Sequence, residues 1–359
     1  MKGRVRVLLV LGVLLCTTAV LFAGGQQDAG KGKQLHIGFA TREMTAPFSQ
    51  AMLLAAKEKA AALGVKLTIL SSDNDNQRHL SIMDNFITMG IDGFVSGGVI
   101  DPGAIVPGIK KMNENNIPTV AIDNSPLGGV IDYFISFDIG DNSAKAANFM
   151  VEELKKRNGG KVPTGVLIEI MGDLVEGWAS ISTAGFHTVI DKYPQLKVVQ
   201  GNGNWNNDDS FRETANFMTR FGGEVKALFV HTPDIMGVGA INAIKQAGFD
   251  PKTIVSSGLC IGPEGIDLLK KGEFTGIIEQ PIYAAGEMAV ELLVKILKQQ
   301  AVPKVGETMK QADALWSPAQ VVKNPYGPEG AYIKLSAPMV PQELSPDDPR
   351  LWENAIFKK

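Results

Sequence analysis

The first strand–helix–strand unit of the chain reads LHIGFAT at residues 35–41, FSQAMLLAAKEKAAAL at residues 48–63 and KLTILS at residues 66–71. The two outer runs are apolar or β-branched along most of their length, which is typical of strands that are covered on both faces. The Ala-rich run between them is followed by Gly64, a usual C-terminal stop for a helix. This order predicts two parallel strands that are joined by a helix.

The same alternation continues along most of the chain. Further strands are predicted at Gly93–Ser96, Thr119–Ile122, Phe134–Phe137, Gly165–Ile170, Lys197–Gly201, Ala227–His231, Thr253–Ser257 and Thr275–Glu279. Further helices are predicted at Asn76–Met89, Asp208–Phe221 and Asp234–Ala247. The units fall into two similar halves, and about five such units make one doubly wound domain. The sequence therefore predicts an α/β protein of two doubly wound parallel-sheet domains, with the junction near Asp138.

Residues 1–23 have the pattern of an export signal. Basic side chains in the first six positions precede an apolar run that continues to Phe22, and small polar residues follow Ala23. The run is too short and too asymmetrically flanked for a permanent membrane helix, although a retained anchor is the alternative. Cys16 does not follow a small residue, which argues against a lipoprotein. We expect cleavage near Ala23, a flexible leader at residues 24–34 and a mature chain that is exported and soluble.

The composition is that of an ordinary globular protein. The 359 residues are 45% apolar and carry 38 acidic and 35 basic side chains. The length favours two domains, and an acidic balance without a basic block argues against nucleic acid as a partner. Cys260 is the only cysteine after signal cleavage, so no intramolecular disulfide is expected. Its thiol is either buried, which is commoner, or functional.

Polar and aromatic side chains follow several predicted strands at the point where each strand ends. In parallel sheets a ligand lies beyond the carboxyl ends of the strands, because helix N-termini and loop residues converge there. The residues selected in this way are Arg42, Phe48, Asp123, Asn124, Glu176, Trp178, Trp205, Asp234, Cys260 and Gln280. Carboxylate, amide and guanidinium groups can satisfy the hydroxyls of a polyhydroxylated ligand, and flat rings can cover its C–H faces.

Each of these residues also has a structural interpretation. A lone aromatic residue at a loop–helix boundary is more often a packing anchor, and a lone aspartate after a strand is more often a helix cap or turn former. Asp234 suits the cap interpretation, because it stands at the start of a predicted helix. The convergence of several such residues, rather than any one of them, favours a binding site.

Catalytic and metal-binding motifs are missing from the sequence. It contains no Gly-x-Ser-x-Gly elbow, no phosphate-binding loop and no His-Glu-x-x-His pair. The four histidines are scattered without the spacing of metal ligands. Gly237-Val238-Gly239 comes nearest to a dinucleotide fingerprint, but it falls inside a predicted helix, where close helix packing explains it. We therefore expect no enzyme activity, no cofactor and no metal.

Four stretches resemble one known family, the periplasmic sugar-binding proteins of the ribose- and galactose-binding type, which serve sugar ABC transporters. In order, these stretches are APF at residues 46–48, GIDGFV at 90–95, NIPTVAID at 116–123 and EQP at 279–281. The resemblance covers residues 35–300 and is specific in order and spacing. The stretch DDPRLWEN at residues 347–354 resembles a subgroup that receives simple sugars or sugar alcohols.

The resemblance implies roles for individual residues. Phe48 and Trp205 match the aromatic residues that stack on the ligand from the first and the second domain. Asp123 matches the carboxylate that holds two ring hydroxyls, Asn124 matches its neighbour, and Gln280 matches an amide on the hinge side.

Other positions depart from the family pattern. Glu176 and Ser180 fall where the family often places an acid and an arginine, so that Ser180 replaces the arginine. Cys260 lies where an aspartate is frequent. Arg42 and Trp178 could compensate for these losses. Fewer charged partners suggest a ligand unlike ribose or glucose.

The resemblance also implies the architecture of a type I periplasmic binding protein, with two lobes joined by a three-segment hinge. The expected parts are an N-terminal lobe at residues 35–138 plus 281–312, a C-terminal lobe at 139–280 and an ordered extension at 313–359 that crosses the hinge. The hinge segments are expected near Asp138, near Gln280 and after Lys310, with Trp316 and Trp352 anchoring the extension.

The sequence thus predicts an exported receptor in the periplasm or at the exterior of the cell envelope. It is expected to capture a monosaccharide or sugar alcohol between its lobes and to deliver it, as a monomer, to the membrane permease of an ABC importer. One alternative is a sensory receptor for chemotaxis or signalling that binds a sugar or a nucleoside. A sugar-processing enzyme of similar architecture is a further alternative.

Overall fold

The computed structural model describes residues 33–99, 101–327 and 329–357. The predicted signal and the leader as far as residue 32 lie outside the described residues. The described part of residues 35–359 forms one compact unit. None of the described helices is both long and apolar enough to cross a membrane.

Two sheets organise the chain. In chain order the strands are β1 (His36–Thr41), β2 (Lys66–Ser71), β3 (Gly93–Gly97), β4 (Thr119–Ile122), β5 (Val130–Phe137), β6 (Gly165–Met171), β7 (Leu196–Asn202), β8 (Val225–Val230), β9 (Val255–Leu259), β10 (Gly276–Ile278), β11 (Thr308–Met309), β12 (Ala319–Lys323), β13 (Glu329–Leu335) and β14 (Met339–Val340). The first sheet has the order β11-β12-β13-β5-β4-β3-β1-β2, and the second has the order β14-β10-β9-β8-β6-β7. The pairs are parallel except where β11, β12 and β14 join.

Each sheet contains the same doubly wound order, β2-β1-β3-β4-β5 in the first and β7-β6-β8-β9-β10 in the second. The predicted α/β fold of two doubly wound parallel sheets is therefore confirmed. The strand predicted at Thr253–Ser257 begins too early. Thr253 ends a short 3-10 helix that begins at Pro251, and β9 starts only at Val255. The reason is the proline, which fixes φ and favours the start of a helical turn over a strand.

Helices connect the strands. They are α1 (Pro47–Leu63), α2 (Asn76–Thr88), α3 (Val106–Glu114), α4 (Ile139–Arg157), α5 (Gly177–Ile190), α6 (Asn207–Phe221), α7 (Pro233–Gln246), α8 (Gly262–Lys270), α9 (Ile282–Leu297) and α10 (Trp352–Ile356). The predicted stop of α1 is confirmed, because Gly64 has a φ of 67° and its N–H bonds back to the carbonyl groups of Ala60 and Ala61.

Both faces of each sheet are buried. In β1, Ile37 packs in an apolar cluster with α1 and α9, whereas Ala40 packs in a cluster with α2 and α3. In β6, Leu167 packs with α4 and α5, whereas Ile168 packs with α6, α7 and α8. Successive residues of a strand thus face two different apolar layers, which explains why the strands read as continuous apolar runs. We call the first sheet with its helices the first lobe and the second sheet with its helices the second lobe.

The glycines of α7 serve helix packing. A Cβ on Gly239 would lie 2.0 Å from the carbonyl oxygen of Asn207 in α6. The Gly239 N–H donates to Asn207 Oδ1 at 2.8 Å. The interpretation of this segment as a close helix contact, rather than a dinucleotide loop, is therefore confirmed.

The chain passes between the lobes after β5, after β10 and between β13 and β14. Lys334 at the third passage lies 2.6 Å from Asp138 at the first. Residues 313–359 supply strands to both sheets, and Trp316 and Trp352 are buried. No strand was predicted in this proline-rich segment, because short edge strands are defined by the sheet they join more than by their own pattern. The lobe and extension limits given above stay predictions.

Candidate functional site in the cleft between the lobes

A cavity of about 250 Å³, here called the cleft, lies at the carboxyl ends of the strands of both sheets. Its first wall follows β1, β2 and β4, and its second wall follows β6, β7, β8 and β9. Gln280, which follows β10, lies at the passage between the lobes. The cleft therefore lies where the rule for open parallel sheets expects a ligand.

The cleft brings together ten of the eleven residues that the sequence selected, all except Ser180. Ser180 is exposed, and its hydroxyl donates to the Leu174 carbonyl oxygen at 3.3 Å. It comes two residues after Trp178 in α5, and about 3.6 residues per helical turn place the two side chains on opposite sides of the helix. The roles of the ten lining residues as ligand contacts stay predictions.

Six residues that the sequence had not selected also line the cleft: Glu43, Thr45, Ala46, Asn74, Thr232 and Ile235. Asn74 follows β2, so a complete use of the strand-end rule would have found it. The others owe their position to the loop before α1 and to the first turn of α7, which the sequence pattern does not define.

Arg42 and Glu176 contact each other across the cleft. The two Nη atoms of the arginine each lie 3.4 Å from a carboxylate oxygen, and Nε donates to Asn74 Oδ1 at 3.1 Å. The side chains are 19% and 5% exposed. Burial raises the pKa of Glu176, while the Arg42 charge acts to lower it. This pair joins the two walls in the conformation described.

Asp123 connects both walls with the passage between the lobes. It follows β4 with a left-handed φ of 69°, and its Oδ1 accepts from Gln280 Nε2 at 2.9 Å. Burial raises the pKa of Asp123 to about 6, against the opposing effect of Arg42. The Trp178 side chain acts, with Gln280, to lower the pKa of this carboxyl. By contrast, the neighbouring Asn124 donates its amide to the Val99 carbonyl oxygen at 2.9 Å.

Two tryptophans form the flat part of the second wall. The rings of Trp178 and Trp205 meet edge to face, with centroids 5.4 Å apart and planes at 83°. Trp205 packs against Gly172, where a Cβ would come within 2.0 Å of the ring. Its Nε1 is buried and has no hydrogen-bond partner among the described residues. Phe48 offers a half-buried ring from the first wall. Such rings can cover the C–H faces of a ligand.

Asp234 lies in the first turn of α7, but it does not cap the helix. The N-cap position belongs to Thr232, and no side chain makes a cap hydrogen bond there, so the cap interpretation of Asp234 is wrong. Asp234 and Thr232 are 6% and 7% exposed, and within the described chain neither Asp234 Oδ1 nor Thr232 Oγ1 has a partner. Burial, then the charges of Glu353 and Glu264, raises the pKa of Asp234 to about 8.

Cys260 is buried at the end of β9, as the commoner of its two interpretations predicted. Burial raises the pKa of its thiol, and the neighbouring acids, Asp234 first among them, raise it further. The thiol therefore stays protonated, which makes it a poor nucleophile. Among the residues that the structure describes, no group of three or more His, Cys, Asp or Glu side chains could hold a metal ion.

A buried polar network lies next to the two tryptophans, because the His231 ring packs near both indoles. His231 Nδ1 accepts from the Gly172 N–H at 3.2 Å, and its Nε2 lies 3.2 Å from Glu169 Oε1. Glu169 also contacts His187 at 3.0 Å, and this carboxylate raises the pKa of His187 to about 9. Hydrogen bonds from His187 and His231 hold the pKa of Glu169 below its usual range despite burial. This network was not predicted, because its members lie on different strands and helices.

Comparisons with known proteins agree with this geometry. A family model described as periplasmic binding protein domain matches residues 37–301. The ribose import binding protein of Bacillus subtilis (strain 168) is 24% identical over 307 residues, which are 85% of this chain and 96% of that protein. The D-xylose-binding periplasmic protein of Escherichia coli (strain K12) is 26% identical over 326 residues, or 86% of this chain and 92% of that protein.

A solved structure of the Caulobacter myo-inositol binding protein, bound to myo-inositol, has the same fold. It superposes with a TM-score of 0.70 at 19% sequence identity and covers 89% of this chain and 97% of that chain. The relatives are named for binding rather than for catalysis. With its two doubly wound lobes, its cleft at the strand ends and a family model that spans most of its length, this chain belongs to the periplasmic binding protein domain family.

Proposed function

We propose that the chain is an exported receptor that captures a monosaccharide or sugar alcohol in the cleft and delivers it to the permease of an ABC importer. The observation that carries this proposal is the cleft itself, which combines flat rings with carboxyl, amide and guanidinium groups from both lobes. Its volume of about 250 Å³ is just below the roughly 300–1,000 Å³ that drug-sized ligands occupy, which favours a small ligand. Relatives named for ribose and xylose support the same ligand class.

Ligand capture would be coupled to the arrangement of the lobes. Contacts to Asp123 on the first wall and to Trp205 on the second exist together only when the lobes lie close, as the Arg42–Glu176 contact has them here. A ligand that bridges the walls therefore stabilises this arrangement by its differential affinity. The permease would recognise the surface that the joined lobes present. Export by the predicted signal at residues 1–23, a periplasmic location and a monomeric state complete the proposal.

The first experiment is a thermal-shift screen of residues 24–359 against pentoses, hexoses, their alcohols, nucleosides and amino acids. A ligand that binds only the folded chain raises the melting temperature. At a ligand concentration of 100 times its dissociation constant, it increases the free energy of unfolding by about 2.7 kcal/mol. We expect the largest shift with a sugar or polyol and none from an amino acid. A shift with nucleosides or amino acids alone would overturn the ligand class.

The rival sensory role shares the cleft and differs in the partner. Deleting the gene and measuring uptake of the ligand identified in the screen separates the two. Loss of uptake supports delivery to an importer. Normal uptake together with loss of a chemotactic or transcriptional response would show signalling instead. Incubation of the purified protein with the same ligand, with chromatography for products, tests the enzymatic alternative.

A further inference from the structure

We propose that the ligand carries a protonated amine, so that the cleft takes an amino-substituted sugar or polyol whose ammonium group lies beside Asp234 on the second wall. This inference rests on the proposed function and narrows its ligand class. It comes from the balance of charges in the cleft and from the buried polar atoms that the protein itself leaves without partners.

The charges that line the cleft are unequal. Among the described lining residues the acidic side chains are Glu43, Asp123, Glu176 and Asp234, and the only basic one is Arg42. A neutral sugar brings no charge of its own and would leave this excess as it is. A buried carboxylate is costly unless it is paired or protonated.

The single arginine is already engaged. Both of its Nη atoms approach the Glu176 carboxylate, and its Nε donates to Asn74. Glu43 is satisfied locally, since its carboxylate accepts from the N–H groups of Thr45 and Ala46 at the start of α1. Its charge there also complements the helix dipole. The imbalance therefore falls on the two remaining acids of the cleft.

Asp123 has a neutral hydrogen-bond donor, since Gln280 Nε2 donates to its Oδ1 at 2.9 Å. Asp234 has less. Asp234 is 6% exposed and its Oδ1 is buried without a partner in the described chain, although the backbone N–H groups of Ile235 and of Asp234 itself act to lower the pKa of this carboxyl against burial. Asp234 is the lining group with the greatest need of a cation.

The charged side chains of the described chain that act on Asp234 are acids as well. Besides burial, the charges of Glu353 in α10 and Glu264 in α8 raise the pKa of Asp234. The charge of Asp234 in turn raises the pKa of the buried Cys260 thiol further. Asp123 and Glu279 add further acidic groups near that thiol. Because the pKa of Asp234 is raised to about 8, its carboxyl is mostly protonated near neutral pH when no ligand is bound. The bound proton then neutralises the charge that a cation would otherwise neutralise.

An ammonium group suits this position chemically. It has three donors and no acceptor, and both Asp234 Oδ1 and Thr232 Oγ1 are buried acceptors without partners among the described residues. A charge-assisted hydrogen bond to a carboxylate is about twice as strong as a neutral one. The faces of the paired tryptophans can also attract a cation. The remaining hydroxyls of such a ligand would meet Asp123, Gln280 and the Trp205 N–H.

The test is isothermal titration with matched pairs of probes that differ in one group. The pairs are D-glucosamine with D-glucose, D-galactosamine with D-galactose, 1-amino-1-deoxy-D-sorbitol with D-sorbitol, and an aminocyclitol with myo-inositol. At least one amine should bind about tenfold or more tightly than its hydroxyl parent. Titration in buffers of different ionisation enthalpy near pH 7 should show release of up to about one proton with the amine and none with the parent.

The variant Asp234→Asn keeps the size of the side chain and removes its charge. It should reduce the preference for the amine over its hydroxyl parent to less than about threefold and abolish the proton release. The matched control is Asp208→Asn, an exposed aspartate in the first turn of the neighbouring α6, which should keep the preference.

The outcomes separate the two proposals. If hydroxyl parents bind and no amine binds more tightly, the amine inference is overturned and the receptor proposal stands. An amine preference that survives in Asp234→Asn also overturns the inference. If only nucleosides or amino acids bind, the receptor proposal for sugars fails and the amine inference fails with it.

Discussion

The two walls of the cleft differ in how their buried polar groups find partners. On the first wall, Glu43 accepts from two backbone N–H groups and from the Ser49 hydroxyl, and Asn124 donates to the Val99 carbonyl oxygen. On the second wall, three buried polar atoms have no partner among the described residues: Trp205 Nε1, Thr232 Oγ1 and Asp234 Oδ1. The protein therefore satisfies the hydrogen bonds of these first-wall groups by its own atoms. It leaves polar groups of the second wall for a ligand to satisfy.

The unpartnered groups of the second wall lower the stability of the protein and are available for binding. A buried polar group without a partner destabilises a protein by about 1–3 kcal/mol. Such groups are rare in folded proteins, and they concentrate where function requires them. We therefore expect changes on the second wall to alter affinity while sparing or even improving stability. The first wall should instead provide shape and the connection between the lobes.

The largest effect is expected where the walls are joined, at Asp123. Asp123→Asn keeps the shape, and asparagine tolerates the left-handed φ of 69°. The new amide is a weaker acceptor and brings donors towards Trp178 and Arg42, so ligand affinity should fall about 100-fold, or about 2.7 kcal/mol. The matched control is Asp73→Asn, which also has a left-handed φ, of 49°, but is exposed and outside the cleft. Calorimetry that shows equal affinities for both variants would contradict the role of Asp123.

A smaller loss is expected when the Trp205 ring is displaced. A Cβ on Gly172 would lie 2.0 Å from this ring, so Gly172→Ala must push the indole into the cleft and disturb its contact with Trp178. Ligand affinity should fall about tenfold, with a change in the near-ultraviolet circular dichroism of the tryptophans. Gly177→Ala is the control, because no atom lies within 4 Å of the added Cβ. Unchanged affinity in Gly172→Ala would show that the ring position does not matter for binding.

The sharpest test of the comparison is Thr232→Val, which replaces an unpartnered hydroxyl by a methyl group of similar size. Without a ligand, the free energy of unfolding should rise by about 1 kcal/mol, while ligand affinity should fall by about threefold to tenfold. Thr214→Val is the control, since Thr214 Oγ1 is also buried without a described partner but lies outside the cleft. It should gain stability and keep its affinity. A loss of stability in Thr232→Val would contradict our account of the second wall.

The last prediction concerns the dependence of stability on pH. Burial raises the pKa of Asp123 to about 6, of Glu353 to about 7 and of Asp234 to about 8, and it also raises the pKa of Glu279. The folded chain thus holds these protons to higher pH than the unfolded chain, whose carboxyls titrate near pH 4. The free energy of unfolding should therefore fall as the pH rises from about 5 to about 9.

Thermal denaturation of the ligand-free protein across this range measures the effect. The raised pKa of His187, about 9, acts in the same direction above about pH 6.5. Glu353→Gln removes one of the acids and should flatten the decline. A melting temperature that rises steadily from pH 5 to pH 9 would show that these carboxyls are charged in the folded chain without cost.

Much of the fold followed from local pattern. Apolar runs that are covered on both faces, such as β1, and a glycine stop such as Gly64 are signals that a few neighbouring residues carry. The strand-end rule selected ten residues that meet in the cleft, because the carboxyl ends of parallel strands share one edge. Ser180, which only the family resemblance had selected, lies outside the cleft, because the phase of α5 decides on which side of the helix a residue lies.

The sequence by itself determined the alternation of strands and helices, the division into two similar halves and the residues that follow each strand, because all of these depend on neighbours along the chain. Only the tertiary structure decided which polar atoms are satisfied. The contacts of Arg42 with Glu176 and of His231 with Glu169 join segments that lie far apart in sequence, and the packing around Asp234 leaves its Oδ1 without a described partner. Hydrogen bonding depends on distances of a few tenths of an ångström, and only the packing of the two lobes sets those distances.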